Sequence, residues 1–322
     1  MKRKVWAIVL VCLLWAGAAH AQAWPTRPVT IIVTAAAGGV TDVVARAVAQ
    51  KLSEMWGHPV IIENKGGAGH LIGAQMVARA KPDGYTLLAA EGGAFVLNST
   101  LYSREKLGYD AKELAPITGL VRVAQAIVAR NDLPAANIKE LIALARQKPG
   151  QLTYGTAAIA SAPHMNMLKL SNMTGVKLQA VHYRGAAPAL NDIFAGHIDL
   201  MSISISLVAQ PAQAHRLKIL GIGSQQRMPQ IKDVPTVAES VPGYEGATWF
   251  GLAGTGGTPP DIIRKIAADV QKVIADPAFQ ARFMAPQMFE SMASTPDEFR
   301  QYIDAETKNW AKIIRDEHLV IE

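Results

Sequence analysis

The sequence predicts an α/β protein built as two lobes. Short β-branched apolar runs alternate with amphipathic segments along most of the chain. Their order is βαβαβ, which implies parallel strands joined through helices. The chain is also too long for one compact core, so two lobes are the natural division.

The elements follow in order. Val29 to Val33 is a predicted strand. Asp42 to Met55 is a helix with Val44, Val48, Leu52 and Met55 on one face. Val60 to Glu63 is a second strand, and Ile72 to Ala80 a second helix, ended by the turn Lys81-Pro82-Asp83-Gly84. Tyr85 to Ala90 is a third strand. Val123 to Ala129 is an apolar run broken by Asn131-Asp132-Leu133-Pro134. Ile138 to Gln147 is a helix that stops before Lys148-Pro149-Gly150. The strand Leu152 to Gly155, the helix Ala162 to Met173, the strand Leu178 to Val181 and the helix Ala187 to Ala195 continue the alternation. The strands Leu200 to Ile205 and Leu217 to Ile222 complete a second lobe. After a Pro/Gly-rich return, Thr248 to Ala253 is a strand. Three helical segments close the chain: Asp261 to Ala275, Ala278 to Met284 and Pro296 to Asp316.

Lys2, Arg3 and Lys4 precede an apolar stretch from Val5 to Ala19, and Ala19-His20-Ala21 fits a small-x-small cleavage site. Residues 1–21 therefore read as a secretory leader, with cleavage after Ala23 as a second option. Cys12 is the only cysteine and lies in that leader, so disulfides, catalytic thiols and cysteine metal sites are excluded from the mature chain. Removing three leader charges lowers the formal net charge from +6 to +3. The remaining charges are scattered, without the basic stripe that a nucleic-acid partner requires. No cofactor or metal site is expected, because His, Asp and Glu are not clustered at ligating spacings.

Ile31 to Asp42, IIVTAAAGGVTD, is the most telling stretch. A strand ends in small residues and a helix begins near Thr41 and Asp42. Such a junction presents bare backbone N–H groups and a helix dipole, and both favour an anion.

The motifs together resemble the substrate-binding proteins of tripartite tricarboxylate transporters, also called Bug receptors. The resemblance covers essentially the whole mature chain. It rests on Trp24-Pro25 with Pro28, the loop Gly38 to Asp42, Glu63-Asn64-Lys65 with Gly67-Ala68-Gly69, and Pro82 to Leu88. Tyr154-Gly155, Pro163-His164, Val181 to Gly185, Asp233 to Glu239 and Trp249 to Leu252 extend it. It implies a type II periplasmic binding fold, two α/β lobes joined by two crossing strands. Residues 24–124 plus 247–322 would form lobe 1 and residues 125–246 lobe 2, with crossings at Val121 to Val128 and Ala247 to Ala253. It also implies a periplasmic monomer that captures a small carboxylate between the lobes and delivers it to membrane permease subunits.

Three loops at strand ends are the expected binding elements. The first is Ala35, Ala36, Ala37, Gly38, Gly39, Thr41 and Asp42, with Asp42 acting as a cap or water holder. The second, GTAAIASAPH, offers Gly155, Thr156, Ala157, Ala158 and Ser161, while His164 reads as structural. The resemblance implies that these two loops close on the ligand as a pincer, often through water. The third is the loop Glu91 to Phe95, with Glu91 and Gly92. The family has small neutral residues near Glu91, so a ligand group that donates a hydrogen bond is expected there, with a solvated rim carboxylate as the alternative. The family often has an aromatic at Ala35 and a proline at Ala37. Their loss implies a bulkier ligand, unless Trp249 or Phe250 fills the space. An aspartate common in the family near Ile203 is missing, and Ser202 and Ser204 are its partial replacements. Arg184 is a candidate anion contact at the cleft edge or a surface charge. Two other functions share some of these features: a sensor presenting its bound solute to a signalling partner, and an exported hydrolase using Ser161 and His164. The hydrolase lacks a Gly-x-Ser-x-Gly elbow.

Overall fold

The computed structural model describes residues 24–156, 161–183 and 185–316. The expected leader lies outside them, as do Ala157, Ala158 and Arg184. No helix among the described residues is long and apolar enough to cross a membrane.

Strand β1 (Val29–Val33) pairs in parallel with β2 (Val60–Asn64) on one side and β3 (Thr86–Glu91) on the other. Helix α1 (Val40–Trp56) connects β1 to β2, and α2 (Leu71–Ala78) connects β2 to β3. Alternation along β1 sends its side chains to two cores. Val29, Ile31 and Val33 pack with Val44, Val48 and Leu52 of α1, whereas Ile32 packs with Ala74 and Val77 of α2. Gly57 ends α1 in the left-handed region, φ 68°, where a residue without Cβ stops a helix at least cost.

Glu91 to Phe95, expected as a loop, is the end of β3 followed at once by a short helix, α3 (Gly92–Val96). The smallness of Gly92 lets the helix start against an indole. A Cβ on Gly92 would lie 2.5 Å from the Trp249 ring.

Strand β4 (Leu114–Ala129) is longer than the apolar run that announced it. Its first part pairs antiparallel with β9 (Ala247–Thr255) and β10 (Phe289–Ser291). Its last part pairs with β7 (Leu200–Ser204) and β8 (Lys218–Ile222). β4 thus pairs with β9 and β10 along its first part and with β7 and β8 along its last. The second half places β7 beside β5 (Thr153–Thr156) and β5 beside β6 (Gln179–His182), in parallel. Helices α4 (Ile138–Gln147), α5 (Ala162–Thr174), α6 (Ala186–Ala195) and α7 (Ile205–Gln213) belong to it. Helix α7 was not expected, since Leu200 to Ile205 reads as one strand and no helix was assigned before Leu217. The strand ends at Ser204, and Pro211 sits near the end of α7. Helices α8 (Pro260–Ala275) and α9 (Pro296–Asp316) return to the first half. The segment read as one helix from Ala278 to Met284 is a helical turn at Pro277–Phe279 and a π turn at Gln280–Met284.

Three backbones are locked together beside β4. The Gly246 amide donates to the Gly223 carbonyl at 2.9 Å, Gly223 donates to Gln125 at 2.8 Å, and Gln125 donates to Gly246 at 3.0 Å. Each residue gives one bond and receives one, so the bonds form a closed ring.

Candidate functional site

The β1–α1 loop is shaped by a buried acid. Asp42 Oδ2 accepts from the Gly38 amide at 2.9 Å and from Arg46 Nε at 3.0 Å. Its Oδ1 takes Asn64 Nδ2 at 2.9 Å and Arg46 Nη2 at 2.9 Å. The Asn64 amide also reaches the Ala35 carbonyl at 3.0 Å. Both ends of the loop are therefore tied to one carboxylate and one amide. Burial raises the Asp42 pKa, but the hydrogen bonds from Arg46, Gly38 and Asn64 and the Arg46 charge outweigh it and hold the group below the usual range. Asp42 is a tie rather than a cap, and its oxygens are occupied by protein donors. Ala36, Ala37 and Gly38 are exposed, Ala35 and Gly39 half-buried and Thr41 buried. The first helical bond of α1 is Val43 to Gly39, so the amides of Val40, Thr41 and Asp42 stand outside the helical ladder.

The opposed loop joins β5 to α5. Thr156 is fully buried, and its hydroxyl lies 3.0 Å from His182 Nδ1. Ser161 is the residue before α5, and Pro163 occupies its first turn. The Met165 amide is the first to bond back, to Ser161 at 2.9 Å, which leaves the Ala162 amide outside that ladder. Gly155 packs closely, and a Cβ there would lie 2.5 Å from the Ile198 Cδ1 methyl, which would have to shift. His164 stacks on Tyr154 and meets His182 edge-on with centroids 4.9 Å apart. It is the structural histidine the sequence suggested.

Burial, and secondarily the neighbouring His182, push the His164 pKa down to about 4. The unfolded chain takes up this proton near 6.5, so it binds more protons than the native state between those values. Stability is thus full above pH 6.5 and falls as pH drops toward 4, by roughly 3 kcal/mol at most for this group. Melting temperature is expected to fall across that window, and His164→Asn should flatten the decline. An equally steep decline in the variant would contradict this assignment.

The third wall is β3 and α3. Glu91 is half-buried at the junction of the two, and its carboxylate has no hydrogen bond among the described residues. Glu91 and Gly92 of this half face Ala162 and Met165 of the other across a narrow gap that Trp249 also lines. The expectation for Phe250 needs correction. It is 3% exposed and packed in the core with Val121, while its neighbour Trp249 reaches the gap. Successive residues of a strand point to opposite faces, and only the pairing register decides which one faces in. Ser204 ends β7 and accepts from Gln125 Nε2 at 3.1 Å. Gln125 Oε1 and Ser202 Oγ are buried without hydrogen-bond partners among the described residues. Gln125 was missed in the sequence, where it is one polar residue in an apolar run. His70 was missed as well, and nothing in its local sequence marks it.

A second hollow, about 400 Å³, lies beside the crossing strands. Its cations are already paired: Arg122 with Glu245 at 2.7 Å and Arg227 with Glu239 at 2.6 Å. It therefore offers an anion little. Among the described residues no group of His, Asp and Glu is placed to hold a metal.

Residues 44–319 match the family described as tripartite tricarboxylate transporter family receptor. The structure of R. palustris Rpa4515 with adipate is similar at TM-score 0.82 and 32% identity, over 91% of this chain and 97% of that one. The periplasmic binding protein BugD is similar at TM-score 0.80 and 34% identity, over 93% and 100%. MatC (Rpa3494) from Rhodopseudomonas palustris with bound malate is similar at TM-score 0.78 and 28% identity, over 90% and 100%.

Proposed function

This chain belongs to the tripartite tricarboxylate transporter receptor family, and from that premise we propose that it is a periplasmic receptor that closes two lobes around one small carboxylate and passes it to the membrane permease subunits. The supporting observation is the pair of strand–loop–helix ends that open α1 and α5. Each leaves at least one amide outside its helical ladder, and the first is stiffened by Asp42. Backbone amides at two helix starts solvate an anion without any lysine or arginine. The lobes are residues 24–124 with 247–322, and residues 125–246. The contacts are Ala35 to Gly39, Thr41, Glu91, Gly92, Gly155, Thr156, Ser161 and Ser204, joined by Ala157, Ala158 and Arg184. Adipate in one similar protein and malate in another support the ligand class.

The gap between Glu91 and Met165 encloses about 20 Å³, room for about one water, so the lobes must part to admit a solute there. The test is a thermal-shift screen of adipate, malate, succinate, citrate and their amides. A bound acid at 100 times its Kd should stabilise the protein by about 2.7 kcal/mol. The acid should be recovered unchanged, at one per monomer. Failure of every acid to raise the melting temperature would sink the proposal.

A further inference from the structure

His70 lies on the first-half wall and is not used by the carboxylate site just described. Its backbone is left-handed, φ 75°, directly after Gly69 at φ 61°. That conformation suits glycine, and a histidine held there is kept by its surroundings. Asn98 Nδ2 fixes the turn by donating to the Gly69 carbonyl at 3.0 Å. The ring is fixed too. Nδ1 stands 3.0 Å from Thr34 Oγ1 and 3.2 Å from the Thr34 carbonyl, at the end of β1.

A carbonyl oxygen only accepts, so an unprotonated Nδ1 would set one lone pair against another. Nδ1 therefore carries the hydrogen. In the neutral ring Nε2 is then a bare acceptor, and it has no partner among the described residues. The Cδ2 edge, adjacent to Nε2, faces α3: a Cβ on Gly93 would lie 3.9 Å from it. Gly93 is two residues from Glu91, whose carboxylate is also unpartnered. This wall thus offers two hydrogen-bond acceptors from different elements, one of them negative.

We infer that His70 and Glu91 select the far end of the ligand, so that the preferred solute is a carboxylate whose opposite end donates a hydrogen bond, as an amide, hydroxyl or ammonium group does, and not a second carboxylate. A second carboxylate would meet the charge of Glu91 and the lone pair of Nε2 with no donor to either. The inference rests on the carboxylate-receptor reading, with the first carboxylate held by the amides of the β1–α1 and β5–α5 loops.

The test is calorimetric titration of the purified protein with two length-matched sets: succinate, succinamate and 4-aminobutanoate, and adipate, adipic acid monoamide and 6-aminohexanoate. A donor-ended acid should bind at least about 10-fold more tightly than the dicarboxylate of its length. Glu91→Gln should shrink that preference. His70→Asn places an amide nitrogen near the Nδ1 position, tolerates the left-handed backbone and removes Nε2. It should leave the melting temperature of the unliganded protein unchanged and weaken donor-ended acids by about 10-fold. A purely structural role for His70 predicts unchanged binding by this variant, and that result would overturn the inference. So would tighter binding of the dicarboxylates, which leaves the receptor reading standing. Binding of none of the six acids overturns the inference, while the receptor reading stands or falls with the wider thermal-shift screen.

Discussion

Gly223→Ala is expected to destabilise the protein by about 3 kcal/mol or more. The added Cβ would lie 2.0 Å from the Gly246 carbonyl oxygen and 2.7 Å from its carbon. The obstacle is backbone, so no side chain can swing aside. Relief requires β8 to move away from Gly246, which breaks the bond that Gly246 donates to Gly223 and strains the bond that Gly223 donates to Gln125. Gly150→Ala is the control: nothing lies within 4 Å of its Cβ, and its cost is the left-handed φ of 72° alone. Urea denaturation of the two variants measures the difference. A Gly223→Ala midpoint no lower than that of Gly150→Ala would show that the junction is looser than described.

The second large effect is expected at Asp42. Its replacement by alanine removes the acceptor for Gly38, Asn64 and Arg46 together. The Arg46 head is half-exposed and recovers water, whereas the Asn64 amide and the Gly38 amide lose a tightly placed partner. A stability loss of about 2–3 kcal/mol follows from charge-assisted bonds of this kind. Affinity for the best acid of the screen should fall at least about 10-fold, because the exposed loop residues lose the anchor that sets their amides. Asp42→Asn keeps an acceptor for Gly38 but loses the charge opposite Arg46, so it should fall between. Calorimetry and denaturation on the same samples separate the two losses. Unchanged affinity in Asp42→Ala would mean that the loop is not part of the site.

Much of the architecture was legible because its elements are locally coded. β1 and α4 coincide with the runs that predicted them. Val44, Val48 and Leu52 are buried as their spacing required. Where reading failed, tertiary context had overruled a local signal. The first part of β4 contains Pro116, Thr118, Gly119 and Arg122, which dilute its apolar pattern. They are tolerated because β9 runs alongside with two register shifts. Gly92 looks like part of a loop until Trp249 is placed against it.

The binding elements were located by position at strand ends, but their inner workings were not. That Asp42 ties the loop depends on Asn64, which reaches it only because β2 lies beside β1. The choice between Trp249 and Phe250 depended on the register with β4. The role of His70 depends on a left-handed turn and on contact with Thr34, neither of which its neighbours in the chain encode.

The ring of bonds among Gln125, Gly223 and Gly246 has a mechanical consequence. Each residue is engaged twice, so withdrawing any one of them ruptures two links at once. Sliding of either connection along its neighbour is thereby opposed. The triad therefore pins the place where these three stretches of backbone converge, apart from the loops at the strand ends, so substitutions at the loop tips leave this anchorage untouched.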